Sequence, residues 1–362
     1  MAFELRNEMS AVEIFDESRT STEIKQEIAA SKMPICEVMI ETYYDFVHIS
    51  VARRGKEYSG WILYDSDRLR KEITEPMSIG EERFEHSKRE GNELILYHQS
   101  RFTGALSVLR FLFEVFTGPL QNVTLLTATT PNGSIARFYV DLFRLNSVTQ
   151  CEKVLMFENG RSSKAMIDGI LDLATGLKRL DLRCPLPDDW SNPKILKLDT
   201  LLSWPTGWFT TNDLLCVLDV ECAQLNETKL DCRAFKAFML KWQMTEDTRL
   251  KMLEISFNGN WEAFEHSGLE VKEWDPNERD SHYPDLLGKE DSDWQDCEFA
   301  LDIQRKDGLL ASFWRREHSF HFVVWHDRHP IATLRPHSSK LVKLGPEQFM
   351  SDEEHEDEDE DE

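Results

Sequence analysis

The sequence predicts an α/β fold: a leucine-rich-repeat-like stack of parallel strands and helices, flanked by antiparallel β-hairpins. Short aliphatic strand cores recur along the middle of the chain at intervals of 26 to 31 residues, apart from one interval of 16. Amphipathic segments separate most of them, which is typical of strand–helix repeats. On both sides of this region the apolar period changes to two, as in hairpins. The strand cores are Val123/Leu125, Val154/Met156, Leu180/Leu182, Leu196/Leu198, Leu225 and Leu253/Ile255.

Two regions precede the predicted repeats. Residues 1–33 carry short amphipathic helical patterns, and residues 34–100 have the alternation of a β-hairpin region, with a further strand at residues 94–97. Residues 65–91 are charged and weakly periodic, which predicts a loop or a surface excursion. The apolar positions of the first helical pattern are Leu5, Met9, Val12, Ile14 and Phe15.

Residues 101–260 form the predicted α/β repeat core. A strongly apolar helix around Leu109 should end at Gly118 and Pro119, and two connecting helices are centred on Phe138 and Ile170. The interval of 16 residues contains three prolines, so we expect a loop crossing there instead of a helix. Strands joined through helices must run parallel and cross over with a right hand.

The stretch from Phe209 to Phe257 carries the clearest local signals. Thr210 is placed to cap a short helix, and Asp231 is placed to cap a second one. In the second helix the apolar residues recur at spacings of three and four, so one face is expected to be buried. These residues are Cys232, Phe235, Phe238, Met239 and Trp242.

Residues 261–345 return to hairpin patterning. The sequence Lys306-Asp307-Gly308 lies between two alternating apolar runs, which indicates a hairpin turn. A third strand is expected at residues 320–325. Residues 346–362 form a predicted disordered acidic tail, since ten of the last twelve residues are Asp or Glu and cannot bury apolar surface.

Composition excludes several classes of partner. The net charge is −24, which argues against nucleic acid and anionic membranes because phosphate contacts need clustered Lys and Arg. No apolar run approaches the roughly 20 residues of a membrane helix. The seven cysteines contain no CxxC pair, which indicates reduced thiols in a cytoplasmic or nuclear protein.

No sequence motif indicates catalysis, a metal or a cofactor. Phosphate-binding loops, hydrolase nucleophile elbows and zinc-protease motifs are all missing, so we expect a protein that is not an enzyme. Four histidines near the C-terminus alternate between strand faces, and three central cysteines lack ligand spacing, so both groups are interpreted as structural. They are His318, His321, His326 and His329, and Cys216, Cys222 and Cys232.

An aromatic loop precedes the central stretch. Trp204, Trp208 and Phe209 lie around Pro205 and Gly207. Exposed tryptophans in loops can anchor a partner, so these three residues are the candidates for target binding. The alternative is that they close one end of the core.

The sequences of four segments resemble those of a known family. The segments T-x-x-D-L-L, K-L-D-C-R-A-F-K-A-F-x-x-K-W and R-L-K-M-L-E-I, together with D-I-Q-R-K-D-G at residues 302–308, look like the nematode F-box associated domain of the second type. Residues 9–25 resemble the latter part of an F-box that is truncated and degenerate. Ala11 stands where a Pro is usual, and Glu17 stands where a buried Leu is usual.

The resemblance implies a substrate-recognition subunit of an SCF-type cullin-RING ubiquitin ligase. A Skp-type adaptor would bind the F-box remnant, and a target protein would bind the repeat domain. By position in the remnant, the adaptor contacts would be Leu5, Met9, Val12, Ile14 and Phe15. The alternative is a stand-alone interaction module, a decoy or scaffold, that has lost adaptor binding because the F-box is incomplete.

Overall fold

The computed structural model describes residues 35–52, 59–68, 75–90, 93–116, 120–128, 133–158, 160, 162–246, 248–257, 268–287, 294–316 and 318–326. Within these ranges the chain forms one mixed sheet of sixteen strands and a separate pair of strands. The F-box remnant in residues 1–33, with its five adaptor-binding candidates, lies outside the described residues. The same holds for the acidic tail at residues 346–362.

The N-terminal part supplies six strands and the first helix. Three strands pair antiparallel in succession, the third pairs in parallel with the sixth, and the fifth and fourth extend the sheet to its edge. The elements are β1 (Glu37–Thr42), β2 (Phe46–Ala52), β3 (Ser59–Asp65), β4 (Glu75–Ile79), β5 (Glu82–Glu90), β6 (Glu93–His98) and α1 (Arg101–Val115).

The prediction of a loop over residues 65–91 is wrong, because β4 and β5 form a hairpin there. Met77, Ile79 and Phe84 are buried, while residues between them are exposed. A hairpin that covers the core with one face only needs an apolar residue at alternate positions. Charged residues at the other positions conceal that period in the sequence.

The central part alternates strands with helices, as predicted. Its strands pair in parallel in chain order, and β1 joins the same parallel set. The elements are β7 (Asn122–Thr127), α2 (Gly133–Leu142), α3 (Asn146–Thr149), β8 (Lys153–Glu158), α4 (Lys164–Leu173), β9 (Arg179–Arg183), β10 (Thr200–Ser203), α5 (Thr211–Cys216), β11 (Cys222–Thr228), α6 (Cys232–Met244) and β12 (Met252–Phe257).

One predicted strand core is displaced. Leu196 lies in a 3₁₀ helix, Pro193–Lys197, and Leu198 ends it, so the strand begins only at Thr200. Asn192 caps this helix by accepting from the Lys194 amide at 3.0 Å. The φ of Pro193 is fixed at a helical value, so the chain begins a helical turn there. The next apolar pair along the chain lies in the strand in place of Leu196 and Leu198.

The two predicted helix caps are confirmed. Thr210 and Asp213 form a reciprocal capping box at the start of α5. The Asp231 carboxylate accepts from the Ala234 amide at 2.9 Å at the start of α6. Each cap satisfies amides that the helix itself leaves unbonded, and stabilises it by roughly 1 kcal/mol.

The C-terminal part extends the other side of the sheet with antiparallel strands. The hairpin at Lys306-Asp307-Gly308 is confirmed, with Gly308 at a φ of 87°. One short pair lies apart from the main sheet. The elements are β13 (Val271–Lys272), β14 (His282–Pro284), β15 (Trp294–Asp296), β16 (Leu301–Gln304), β17 (Leu310–Arg316) and β18 (Ser319–Trp325).

The order across the sheet is β13-β16-β17-β18-β12-β11-β10-β9-β8-β7-β1-β2-β3-β6-β5-β4. The parallel centre advances in one direction, so its right-handed connections place the helices on one face. The main hydrophobic core lies between that face and the helices. The fold class is therefore confirmed: a parallel centre with helices, and antiparallel strands towards both edges.

A second, smaller core lies on the opposite face. None of its members lies in a helix, and the described residues 275–287 and 294–300, which we call the cover segment, supply part of it. Arg279 in this segment is fully buried and donates from Nε to both Asp302 oxygens at 3.0 and 2.9 Å. The members are Leu202, Cys222, Met252, Tyr283, Leu287, Cys297, Ala300, Leu310, Val323 and Trp325.

Substituting Gly176 should destabilise the fold. A Cβ at this position would lie 2.5 Å from the backbone oxygen of Gln150, so the turn before β9 would have to move. We expect Gly176→Ala to lower the free energy of unfolding by about 2 kcal/mol, measured by urea denaturation. Gly133→Ala is the matched control, because a Cβ there meets nothing within 4 Å. Equal stability of the two variants would contradict the packing described for this turn.

Candidate functional site

Within the described part of the chain, one face of the sheet carries no helices, and large side chains occupy it. The cover segment packs on β10 to β12, β17 and β18, and reaches Arg179 on β9, whose Nη2 donates to the Leu287 oxygen at 3.4 Å. We call the side chains on this face of β6, β3, β2, β1, β7, β8 and β9 the open face. They include Glu93, Ile95, Tyr97, Ile62, Tyr64, Phe46, His48, Met39, Glu41, Leu126, Leu155, Phe157 and Arg183.

The open face is mostly apolar, and its side chains are only partly covered. All of its named residues are half-buried, apart from the exposed Arg183, whereas the residues between them in each strand point into the main core. Neighbouring side chains cover one another partly but leave their outer surface accessible. A contiguous apolar patch of this extent is typical of a protein interaction site.

Four aromatic rings form a continuous row at one end of the open face. Tyr43 stacks on Phe46 with ring centroids 4.3 Å apart, Phe46 lies 5.5 Å from Tyr64, and Tyr64 stacks on Tyr97 at 5.5 Å. We call these four residues the aromatic row. The row follows the register of β2, β3 and β6, since Phe46 pairs with Tyr64 and Tyr64 pairs with Tyr97. Tyr44, in the turn beside it, is 77% exposed.

A polar network lies beside the aromatic row. His48 Nδ1 is 2.7 Å from Glu41 Oε2, and its Nε2 is 3.3 Å from Ser50 Oγ. A Cβ on Gly60 would lie 2.7 Å from His48 Nε2, so this glycine leaves room for the ring.

The Ser50–His48–Glu41 order resembles a hydrolytic relay, but the geometry does not support one. Ser50 is only 4% exposed, so its hydroxyl does not face a substrate. Strand β2 pairs on both sides, with β1 and β3, so its amides are engaged in the ladder and do not form an oxyanion hole. The network instead holds the Glu41 and His48 side chains in fixed positions on the open face.

The opposite end of the open face carries an ion pair. The Arg183 guanidinium lies over the Phe157 ring at 4.7 Å, and its Nε donates to Asp181 Oδ1 at 3.2 Å. Trp204 follows β10 next to this pair, and its amide donates to the Leu182 oxygen at 2.8 Å. The Trp204 side chain is 51% exposed.

The structure separates the three residues of the aromatic loop. Trp208 and Phe209 are 1% and 2% exposed, and Trp208 packs edge-on against Trp190 with centroids 4.6 Å apart. Because both side chains are buried, they offer no surface to a partner. Their burial agrees with the alternative prediction, that the loop closes one end of the core. Only Trp204 keeps the exposure that target binding requires.

A buried polar cluster lies where the parallel strands end. Thr42, Thr127 and Glu158 occupy the same register position on β1, β7 and β8. The Tyr139 hydroxyl is 2.9 Å from both threonine hydroxyls, and burial raises its pKa to about 12. Such strand ends are the usual ligand sites of parallel α/β sheets, and sequence analysis missed the cluster because its members lie far apart in the chain.

Glu158 is the chemically unusual member of this cluster. It is 7% exposed, accepts a hydrogen bond from the Ser162 hydroxyl on Oε2, and has no partner for Oε1. Burial raises the pKa of this carboxyl to about 7. The side chain is therefore protonated in a substantial fraction of molecules at neutral pH.

A cleft of about 500 Å³ opens at the same edge of the sheet. It lies where β3 and β6 end and α1 begins, and Arg101 is on its wall. Arg101 forms an ion pair with Asp65 and donates from Nη2 to the Tyr44 oxygen at 3.0 Å. The cleft is lined by Asp65, Ser66, Asp67, Gln99, Ser100, Arg101, Phe102 and Ser134.

The candidate metal and thiol residues are dispersed. Across the described ranges, no group of three or more His, Cys, Asp or Glu is arranged to hold a metal ion. His321 stacks on Trp314 at 4.8 Å, while His326 Nε2 is 2.9 Å from the Leu250 oxygen. Burial raises the pKa of Cys222 to about 11, which keeps this thiol protonated and unreactive. None of the described helices is long and apolar enough to cross a membrane.

Comparison with known proteins gives a distant relationship. An uncharacterized protein of Caenorhabditis elegans is 25% identical over 295 residues, which cover 78% of this chain and 67% of the relative. No protein-family model matches the chain, and no solved structure matches it. The chain is thus a distant homologue of a nematode protein.

The buried carboxyl predicts a specific pH dependence of stability. The native Glu158 carboxyl has a pKa of about 7 against an ordinary value of 4.5, so the native state holds its proton more tightly than the unfolded state. The free energy of unfolding should therefore fall as pH rises from 4.5 to 7, by up to about 3 kcal/mol from this group. Glu158→Gln should remove that slope in urea titrations at several pH values.

A control separates this effect from general charge repulsion. Glu270 is exposed, so Glu270→Gln should keep the slope of the unmodified protein. If Glu158→Gln keeps it as well, the buried carboxyl is not the group that titrates.

Proposed function

We propose that this protein is an interaction subunit that binds a target protein through its open face. The observation that carries the proposal is the patch of half-buried apolar and aromatic side chains across six neighbouring strands, β6, β3, β2, β1, β7 and β8. At the usual strand spacing such a patch is roughly 30 Å wide. This is wide enough for an ordinary protein–protein interface, which buries about 800 Å² on each partner.

The finer proposal follows the family resemblance of the sequence. The chain would be a substrate-recognition subunit of an SCF-type cullin-RING ubiquitin ligase; the family that it resembles is nematode, as is its distant relative. It would act in the cytoplasm or nucleus without making or breaking bonds itself. Binding target and ligase together raises their effective concentration, which accelerates ubiquitin transfer.

The Skp-type adaptor would bind the F-box remnant through Leu5, Met9, Val12, Ile14 and Phe15. A second candidate function is a stand-alone interaction module that uses the same open face without a ligase. The sequence observation that favours it is Glu17, where the family has a buried Leu, because an unpaired carboxylate is costly to bury in an adaptor interface.

Charges placed at the centre of the open face should abolish target binding. We expect Leu126→Glu with Leu155→Glu to reduce capture of the target from nematode extract at least about fivefold, because two carboxylates would be buried in the interface. The control is Met244→Glu with Phe299→Glu. These two residues are 83% and 88% exposed and lie outside the open face. Unchanged capture by the open-face variant, judged by quantitative mass spectrometry, would refute the proposed site.

Adaptor binding separates the two candidate functions. A ligase subunit should bind purified Skp-type adaptor at micromolar concentration, and Val12→Glu with Phe15→Glu should weaken that binding at least about tenfold, measured by calorimetry. If the unmodified chain does not bind the adaptor, the ligase assignment fails and the stand-alone module stands.

A further inference from the structure

We infer that the segment of the target that lies along the aromatic row is basic, with lysine or arginine side chains against the Tyr44 ring and the carboxylates beside the row. The inference deepens the proposed function and rests on it. It concerns the half of the open face formed by β1, β2, β3 and β6, together with the adjoining cleft. Three features of this half support it: ring surfaces, local charge and the shape of the edge.

One ring beside the aromatic row is suited to binding a cation. The rings of the row face one another at 4.3 to 5.5 Å, so the faces between them are occupied, and the exposed Tyr44 ring beside the row is the one open to a cation. A guanidinium or ammonium group over an aromatic ring is attracted by the ring's quadrupole. The same face already contains one such contact, between Arg183 and Phe157 at 4.7 Å. A partner's arginine can make the same kind of contact with Tyr44, which is 77% exposed.

The charge around the row favours a cationic partner over an anionic one. Among the described side chains of this half, carboxylates outnumber guanidiniums. The carboxylates are Glu41, Asp45, Asp65, Asp67 and Glu93, and the guanidiniums are Arg68 and Arg101. Arg101 is already paired with Asp65. The net charge of −24 extends the attraction to longer range.

The polar network fixes two of these carboxylates beside the rings. His48 lies between Glu41 and Glu93, at 2.7 Å from the first and 3.5 Å from the second. Glu93 is still 42% exposed, so it can receive a cation from the partner. Carboxylates held in place lose less conformational entropy when a cation binds.

The cleft at the end of the row can receive one long side chain. It measures about 500 Å³, and the exposed Asp67 lies on its wall. Arg101 in this cleft donates to the backbone oxygen of Tyr44, so the cleft lies beside the turn that carries the exposed ring. A basic segment along the row would thus place a cation near Asp67.

Peptide binding to the full chain tests the inference. The probes are two labelled octapeptides with blocked ends, one of alternating Gly and Arg and the other of alternating Gly and Glu. Their affinities are measured by fluorescence anisotropy at about 50 and about 200 mM salt, which bracket physiological screening. We expect the arginine peptide to bind, and the glutamate peptide to bind at least about tenfold more weakly.

Two variants locate the binding. Tyr44→Ala removes the exposed ring, and Glu41→Gln with Glu93→Gln removes two charges; each should weaken arginine-peptide binding about fivefold. The matched control, Glu270→Gln with Glu298→Gln, removes two exposed charges elsewhere and should change the affinity less than twofold.

Equal affinity of all variants would overturn the inference, because it would show only general attraction to an acidic protein. Preference for the glutamate peptide would also overturn it. Its failure is distinguishable from failure of the proposed function. If the open-face variant Leu126→Glu with Leu155→Glu loses the target while the peptides show no preference, the open face is still supported as the target-binding site. Only the inference that the target segment is basic is then rejected.

Discussion

The handedness of strand–helix–strand connections is the constraint from which this structure follows. From β7 to β12 each strand joins the same side of the sheet, and right-handed connections then place every intervening helix on one face. The main core therefore forms on that face alone. The opposite face has to be covered by other means or used as a surface, and this chain does both.

The cover segment closes one end of that face around a buried ion pair. Arg279 and Asp302 are 0% and 1% exposed, and further bonds to the Cys297 oxygen and the Ser312 hydroxyl satisfy their remaining polar groups. Removing both ions from water is costly, so the pair depends on this complete set of hydrogen bonds. It fixes the segment against β16 and β17, and the part of this face from β9 to β6 is left as the open face.

The polar groups of the two faces have different consequences. At the strand ends on the helical side, Thr42, Thr127 and Tyr139 satisfy one another inside the core, while Glu158 keeps an unbonded oxygen and a raised pKa. On the open face, Glu41 and His48 bond to each other but stay half-buried. The first group makes stability depend on pH, and the second preorganises a surface for a partner.

The sequence by itself determined the longer helices, the central strands and their parallel order, because these depend on local spacing, caps such as Thr210 and Asp231, and a fixed handedness. It did not reveal the β4–β5 hairpin or the displaced start of β10, where charges and Pro193 conceal the period. Only the tertiary structure decided which aromatic residues are exposed: Trp208 is buried and Tyr44 is not. Burial depends on contacts between strands that are distant in the chain, and the pattern of residues along the sequence does not show those contacts.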